Sequence, residues 1–283
     1  MSFHALQGFR DYLPPNAGAR SSIFDRMRAA ARRSGFVELE TPAVESLELF
    51  RVKSGEEISK ELWAFSDKGG REVTLVAETT PSLARVFVDR AKAEPQPVKW
   101  FTLSKLWRYE EPQAGRTREF AQFNLDILGA SGVEAEVDLL STAARVLDEA
   151  GAHGLYEFRV NDRELAEGMG RTLGASDLPR YFRALDRSLK GSPEDLRRGL
   201  SEAGLSEEAI ERLTTDLASF GEGVPVAEAP GILDGWLARG LAEPGPSGVR
   251  RLRRLFDLLA ATRIRDRVTL DLRVVRGLAY YTS

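Results

Sequence analysis

The sequence predicts an α+β fold, an antiparallel sheet flanked by helices and interrupted by an all-helical insertion. Three observations predict it. First, Glu119 to Leu128 alternates apolar Phe123, Leu125 and Ile127 with polar Gln122, Asn124 and Asp126, the period of a strand with two unlike faces. Second, residues 162–266 show helical patterns broken by Gly174, Gly191, Gly204, Gly221, Gly223 and the run Pro244 to Gly248. Third, strand character returns at Val268 to Val275. The boundaries that follow are 1–161 for a core segment, 162–266 for the helical insertion and 267–283 for the return to the core. The insertion, about a hundred residues, is domain-sized.

Taken in order, Gln7 to Pro15 reads as an extended arm with a turn, because it holds Gly8, Pro14 and Pro15. A helix follows over Ser21 to Ser34. Ile23, Phe24, Met27, Ala30 and Ala31 recur at helical spacing, and Gly35 stops it. Phe36 to Thr41 reads as a strand ended by Pro42. Leu47 to Gly70 is mixed, with a hairpin expected at Lys68-Gly69-Gly70, and Val73 to Ala77 is a short strand. Thr80-Pro81 has the form of an N-cap followed by proline at the first helical position, opening a helix to about Ala93. After a loop at Glu94 to Pro97, a long strand is expected over Val98 to Tyr109. A helix over Val133 to Glu149 and a strand over Leu155 to Val160 complete the first segment.

Composition narrows the chemistry. Of 283 residues, 42% are hydrophobic and 29% charged, ordinary values for a soluble globular protein. Forty Lys and Arg against 43 Asp and Glu leave a net charge of -3, so any nucleic-acid contact must come from a local basic patch. There is no Cys, which excludes disulfides and thiolate metal sites. His4 and His153 are the only histidines and lie far apart, which argues against a histidine zinc site or a histidine-dependent triad. No protein-bound metal is predicted. No apolar run approaches the roughly 20 residues that span a bilayer. With no signal-peptide pattern at the start, no membrane association is expected and the cytoplasm is the default compartment.

Three clusters could do chemistry. Glu78-Thr79-Thr80 lies between a strand and a helix, where a carboxylate could hold an ammonium group. The same segment could equally be a helix cap with a solvated Glu. The hairpin from Trp107 to Asp126 offers Gln122, Asn124 and Asp126 on one strand face beside Arg108, Arg116 and Arg118. Amide and carboxylate groups beside guanidinium groups suit a zwitterionic amino acid next to a phosphate. A wet outer face of an antiparallel sheet, with a charged turn, would show the same pattern. The third cluster is Arg276 with Tyr280 and Tyr281. Arg presents a planar fork suited to phosphate, and Gly277 lets backbone approach a ligand. A strand Arg with aromatic core packing is the plainer account.

Together these clusters resemble the histidyl-tRNA synthetases, a family of class II aminoacyl-tRNA synthetases. The likeness runs along the whole chain and is loosest in the helical insertion. Gly8-Phe9-Arg10-Asp11-Tyr12-Leu13-Pro14 resembles the family's opening. The first helix with Phe36 to Pro42 resembles motif one, the dimer-forming element. Leu75 to Pro81 resembles the amino-acid-binding loop. Trp107 to Asp126 resembles motif two in its histidine-specific form, and Val275 to Thr282 resembles the histidine-specific motif. The last two are specific signatures.

The resemblance implies a class II antiparallel sheet, a homodimer, and a histidine–tRNA ligase using L-histidine, ATP with Mg²⁺, and tRNA(His). By position, Glu78, Thr79 and Thr80 would receive the histidine ammonium, and Gln122 and Asp126 would contact the amino acid. Arg108 would grip the α-phosphate and the attacking carboxylate, and Glu110 would approach the adenine. Arg116 and Arg118 lie in the loop that covers ATP. Arg276 would neutralise charge at the α-phosphorus, and Tyr280 and Tyr281 would shape the imidazole pocket. Arg108 and Arg276 are thus the implied catalytic residues.

Two departures stand out: Val76-Ala77 replaces the family's usual Arg-Pro, and Ala279 stands where Asp is common. The family also continues into a further glycine-rich histidine-binding strand, motif three with its ATP-binding arginine, and an anticodon-binding domain. The chain is therefore expected to be a catalytic-domain portion truncated before motif three, with weak activity. The alternative is the histidyl-tRNA synthetase-like regulatory subunit of ATP phosphoribosyltransferase in histidine biosynthesis, which lacks the anticodon domain. Retention of Arg108 and of Gly115-Arg116-Thr117-Arg118-Glu119 favours the ligase. A third reading, a dimerisation module derived from a synthetase, predicts no binding of histidine or ATP.

Overall fold

The computed structural model describes residues 3–54, 61–113, 115–188, 191–219, 223–238 and 247–275. They fall into two units, Met1–Ser131 with Thr142–His153, and Gly132–Ser141 with Gly154–Ser283.

In the first unit, helix α1 (Pro14–Arg33) begins seven residues before the expected Ser21. Pro14 and Pro15 belong to its first turn, where a missing N–H breaks no helical bond and the fixed φ is already helical. The arm therefore ends at Leu13. Ser34 closes the helix, and Gly35 turns the chain at φ 82°. Strand β1 is only Val37–Glu38 and runs parallel to β5 (Val98–Trp107), so this sheet is mixed rather than purely antiparallel.

Three short strands form a second sheet in the order β2 (Val44–Ser46), β4 (Glu72–Leu75), β3 (Ala64–Ser66), with α2 (Leu47–Ser54) between β2 and β3. The hairpin expected at Lys68-Gly69-Gly70 joins β3 to β4. The Asp67 carboxylate accepts the N–H groups of Arg71 and Gly69 at 2.9 and 2.8 Å, an Asx turn, and the Arg71 N–H and guanidinium, with Gly69, hold the carboxyl below its usual pKa range. Helix α3 (Thr80–Arg90) follows, then β5 and β6 (Glu119–Leu128). β5 and β6 pair antiparallel over ten residues, from Val98 opposite Leu128 to Trp107 opposite Glu119.

Leu47 and Phe50 of α2, Val76, Ala77 and Leu106 are buried together, with Phe120 packed against them. This core roofs one end of the β5–β6 face described below. Helix α4 (Val133–Leu147) passes into a π-type turn over Asp148–Ala152, broken at Gly151 with φ 97°.

In the second unit, β7 (Phe158–Val160) pairs parallel with β9 (Val268–Leu270). Between them lie α5 (Arg163–Thr172), α6 (Leu178–Ser188), α7 (Pro193–Glu202), α8 (Glu207–Ser219), α9 (Ala229–Ala238) and α10 (Ser247–Ala260). The stretch expected to be all-helical also contributes a strand, β8 (Val224–Pro225), antiparallel to β9. Two residues are too few for a period-two pattern to register. Asp162 caps α5 through the N–H groups of Glu164 and Leu165, and its other oxygen takes both Nε and Nη2 of Arg251. Among the described residues no helix is long and apolar enough to cross a membrane.

Candidate active site

The β5–β6 register decides which side chains share a face. Gln122, Asn124 and Asp126 stand opposite Ser104, Thr102 and Trp100, so the six lie on one side of the sheet. The Gln122 amide donates to the Asn124 side-chain oxygen at 2.7 Å. The opposite face is apolar, with the Phe101 and Phe123 rings stacked at 5.4 Å. The two-faced strand expected from alternation is present. Its polar face is bounded rather than continuous, with Leu106 and Phe120 closing one end and Trp100 the other.

Arg108 follows β5 directly. Its Nε donates to the Ala77 carbonyl at 3.1 Å, and its guanidinium lies 5.3 Å from the centre of the Phe120 ring. The Ala77 segment is brought there by the backbone, since Trp107 N–H donates to the Val76 carbonyl at 2.9 Å. Phe120 is two residues from Gln122, on the same face. The guanidinium therefore sits at the end of the row Gln122, Asn124, Asp126. Both anchors, a carbonyl and an apolar ring, were invisible to residue chemistry alone. The one sequence signal is Phe120 itself, an aromatic residue in phase with the polar positions.

The turn between the strands is tied internally. Arg116 pairs with Glu110 at 3.0 Å and Arg108 with the same carboxylate at 3.8 Å. Arg118 Nε donates to the Glu110 carbonyl at 3.0 Å, and its guanidinium lies 4.6 Å from the Tyr109 ring centre. Arg118 N–H donates to the Gly8 carbonyl at 2.8 Å. Gly8 has φ 86°, and a Cβ there would come within 2.7 Å of Arg118 Cγ, so the opening arm and the turn fit only with glycine. Of the two loop arginines, Arg116 is the more exposed and Arg118 is engaged by the hairpin.

Glu78-Thr79-Thr80 opens α3, with one correction to the expected cap. Thr80 is the first helical residue and Pro81 the second, and Thr79 is the capping position without a side-chain cap bond. Proline is tolerated at either of these positions, so the Thr-Pro pair alone did not fix the helix start. Thr79 is fully buried, Glu78 half-buried and Thr80 exposed. Asp126 is largely enclosed, and burial pushes its pKa up to about 6. Arg276, Tyr280 and Tyr281 lie outside the described residues.

A cavity of about 900 Å³ lies elsewhere, between α6 and α7, and is lined by none of the candidate site residues. Its lining, mostly Arg with Asp and Glu, lacks the amide, carboxylate and guanidinium convergence of the sheet face. The sheet face is the better site on chemistry.

A sequence model described as "Histidyl-tRNA synthetase" matches residues 8–283. The chain is 38% identical to the histidine–tRNA ligase of Thermoplasma volcanium over 286 aligned residues, covering 100% of this chain and 64% of that protein. It is also 38% identical to that of Picrophilus torridus, with coverages of 100% and 64%. It thus spans about 64% of the length of these relatives. Its fold is that of the histidyl-tRNA synthetase from Nostoc sp. PCC 7120, at a TM-score of 0.82 and 21% identity, over 100% of this chain and 64% of that one. A protein described as an ATP phosphoribosyltransferase regulatory subunit/histidyl-tRNA synthetase from Bacillus halodurans C shares the fold at a TM-score of 0.81 and 23% identity, over 99% and 70%. A match over all but the first seven residues, with motif-two residues gathered on one sheet face, makes this chain a member of the histidyl-tRNA synthetase family.

Proposed function

We propose that the chain is the histidine-activating part of a histidine–tRNA ligase. A histidine carboxylate oxygen attacks the α-phosphorus of MgATP. The bond to the bridging oxygen breaks, and pyrophosphate leaves with the electron pair. The terminal ribose hydroxyl of tRNA(His) then attacks the carbonyl carbon of the histidyl-adenylate, forming the ester and releasing AMP. Neither step needs a protein nucleophile; both need positioning and charge neutralisation. The supporting observation is the placement of Arg108. Its Nε is occupied by the Ala77 carbonyl, its guanidinium lies beside the Phe120 ring and its Nη1 is 3.8 Å from Glu110, so the side chain is held at the end of the polar row. The holding group is main chain, so it survives the change of the usual Arg-Pro to Val76-Ala77.

In this reading Arg108 binds the α-phosphate and the attacking carboxylate, and Arg276 neutralises charge growing on the α-phosphorus. Gln122, Asp126, Tyr280 and Tyr281 receive the amino acid, and Glu78, Thr79 and Thr80 receive its ammonium group. Glu110 accepts from the adenine amino group, and Arg116 and Arg118 cover the nucleotide. The remaining proposals are residues 162–266 as an insertion in a core of 1–161 and 267–283, action in the cytoplasm, and pairing of two copies at the motif-one strand. Val37 on that strand is 63% exposed, consistent with a covered partner face.

The test is histidine-dependent exchange of pyrophosphate into ATP, run beside calorimetry. Exchange above background that disappears in Arg108→Ala is the expected result. Histidine binding without exchange would instead favour the regulatory-subunit relative. Absence of both histidine and ATP binding would overturn the proposal.

A further inference from the structure

The amino-terminal arm is seated where it crosses the base of the β5–β6 hairpin. Of residues 3–13, Gly8 and Phe9 are half-buried and the others are exposed. The Phe9 N–H donates to the Leu6 carbonyl at 3.0 Å, and this turn, with Gly8 at φ 86°, presents the Gly8 carbonyl to the second limb of the hairpin. That carbonyl accepts the N–H groups of Arg118 at 2.8 Å and Glu119 at 3.3 Å.

Phe9 reaches the first limb through Trp63. Its ring meets Trp63 edge-on at 5.7 Å, and Trp63 meets Tyr109 edge-on at 4.8 Å. Edge-to-face is a favoured arrangement for aromatic pairs. Trp63 is a fixed post, because its carbonyl accepts the Leu75 N–H at 3.1 Å. The Tyr109 N–H is likewise taken by the Glu61 carbonyl at 2.8 Å. The Arg118 guanidinium, 4.6 Å from the centre of the Tyr109 ring, joins the second limb to the first. From there the contacts enter the turn. Arg118 Nε donates to the Glu110 carbonyl at 3.0 Å, and the Glu110 carboxylate pairs with Arg116 at 3.0 Å.

We propose that Gly8 and Phe9 act as a clamp which, through Trp63, Tyr109 and Arg118, sets where Glu110 and Arg116 stand and so governs affinity for the nucleotide. The two are positioning residues. That the ligand of the turn is ATP rests on the proposed function; the clamp itself does not. The effect belongs to the nucleotide side alone. Gln122, Asn124 and Asp126 are fixed by the ten-residue pairing of β6 with β5, and Arg108 by the Ala77 carbonyl and the Phe120 ring. Neither support runs through the arm, and the 3.8 Å approach of Arg108 to Glu110 is beyond hydrogen-bond reach.

Two measurements on the full chain test this: amide hydrogen exchange at Arg118 and Glu119 without substrate, read by NMR, and calorimetric affinities for MgATP and for histidine. Phe9→Ala should speed exchange of both amides about tenfold and weaken MgATP binding about tenfold, with histidine affinity held within about twofold. Phe9→Tyr, which keeps the ring, should retain the parent values. Gly8→Ala, whose Cβ would lie 2.7 Å from Arg118 Cγ, should behave as Phe9→Ala does. Exchange unchanged in both alanine variants overturns the clamp. Faster exchange with MgATP affinity intact, or equal losses for both ligands, overturns its nucleotide role, since an arm anchor of purely structural importance would give either result. Should Gly8→Ala fail to fold, Phe9→Ala decides alone. A parent chain that binds neither histidine nor MgATP sinks the ligase reading, and the exchange rates then decide the clamp by themselves.

Discussion

Asp126 shows how one residue can couple site and stability. Its pKa rises on folding from 3.8 to about 6, so the folded chain takes up a proton between those values. Stability from this group therefore falls as pH rises through that window, and the cost is fully present above it. Asp126→Asn should stabilise the protein above pH 7 by up to about 3 kcal/mol, the worth of two pKa units, with the gain vanishing near pH 4. Urea unfolding at the two pH values measures this, and a gain that persisted in acid would contradict it. Arg108 is the second such residue. Arg108→Lys keeps the charge but loses the Nε bond to Ala77 and the planar fork. Histidine-dependent exchange should fall by about a hundredfold or more, as when a donor to developing charge is removed, with a melting temperature close to the parent. A lysine variant with parental turnover would show that the fork is not required.

At the scale of elements, strand β6 is legible in the sequence with its observed ends, Glu119 and Leu128, because the alternation from Ala121 to Ile127 is a local signal. β2 and β8 went unseen, since two or three residues cannot show a period, and only their pairing with β4 and β9 makes them strands. The start of α1 was missed because Pro14 and Pro15 suit an arm and a first helical turn alike. Helix α5 gives an element-level test. Asp162→Ala removes a cap and the carboxylate that takes two nitrogens of Arg251, leaving that guanidinium its longer pairing with Glu164 at 3.6 Å. The denaturation midpoint should drop by an amount corresponding to about 2 kcal/mol, the worth of a cap plus a charge-assisted bond. An unchanged midpoint would mean that neither contact contributes.

Over the whole molecule, the near balance of 40 basic and 43 acidic residues leaves no general attraction for polyanions, so recognition must come from placed groups. If histidine and MgATP bind the folded chain alone, mass action stabilises it by about 2.7 kcal/mol at a hundredfold excess over the dissociation constant. The melting temperature should rise with histidine plus MgATP and stay put with leucine in place of histidine. A leucine shift of equal size would refute histidine specificity.

The sequence by itself determined the α+β class, the family, the two-faced strand and the residues Gln122, Asn124, Asp126 and Arg108. All of these are written in local period or in motifs, which need no knowledge of distant contacts. Only the tertiary structure decided that Arg108 is held by the Ala77 carbonyl, 31 residues away, and laid over Phe120. Tertiary packing alone likewise enclosed Thr79, Ser82 and Thr102 and raised the pKa of Asp126. Burial is the reason: a side chain loses its water only when segments far apart in the chain close over it, and no local pattern records which ones will.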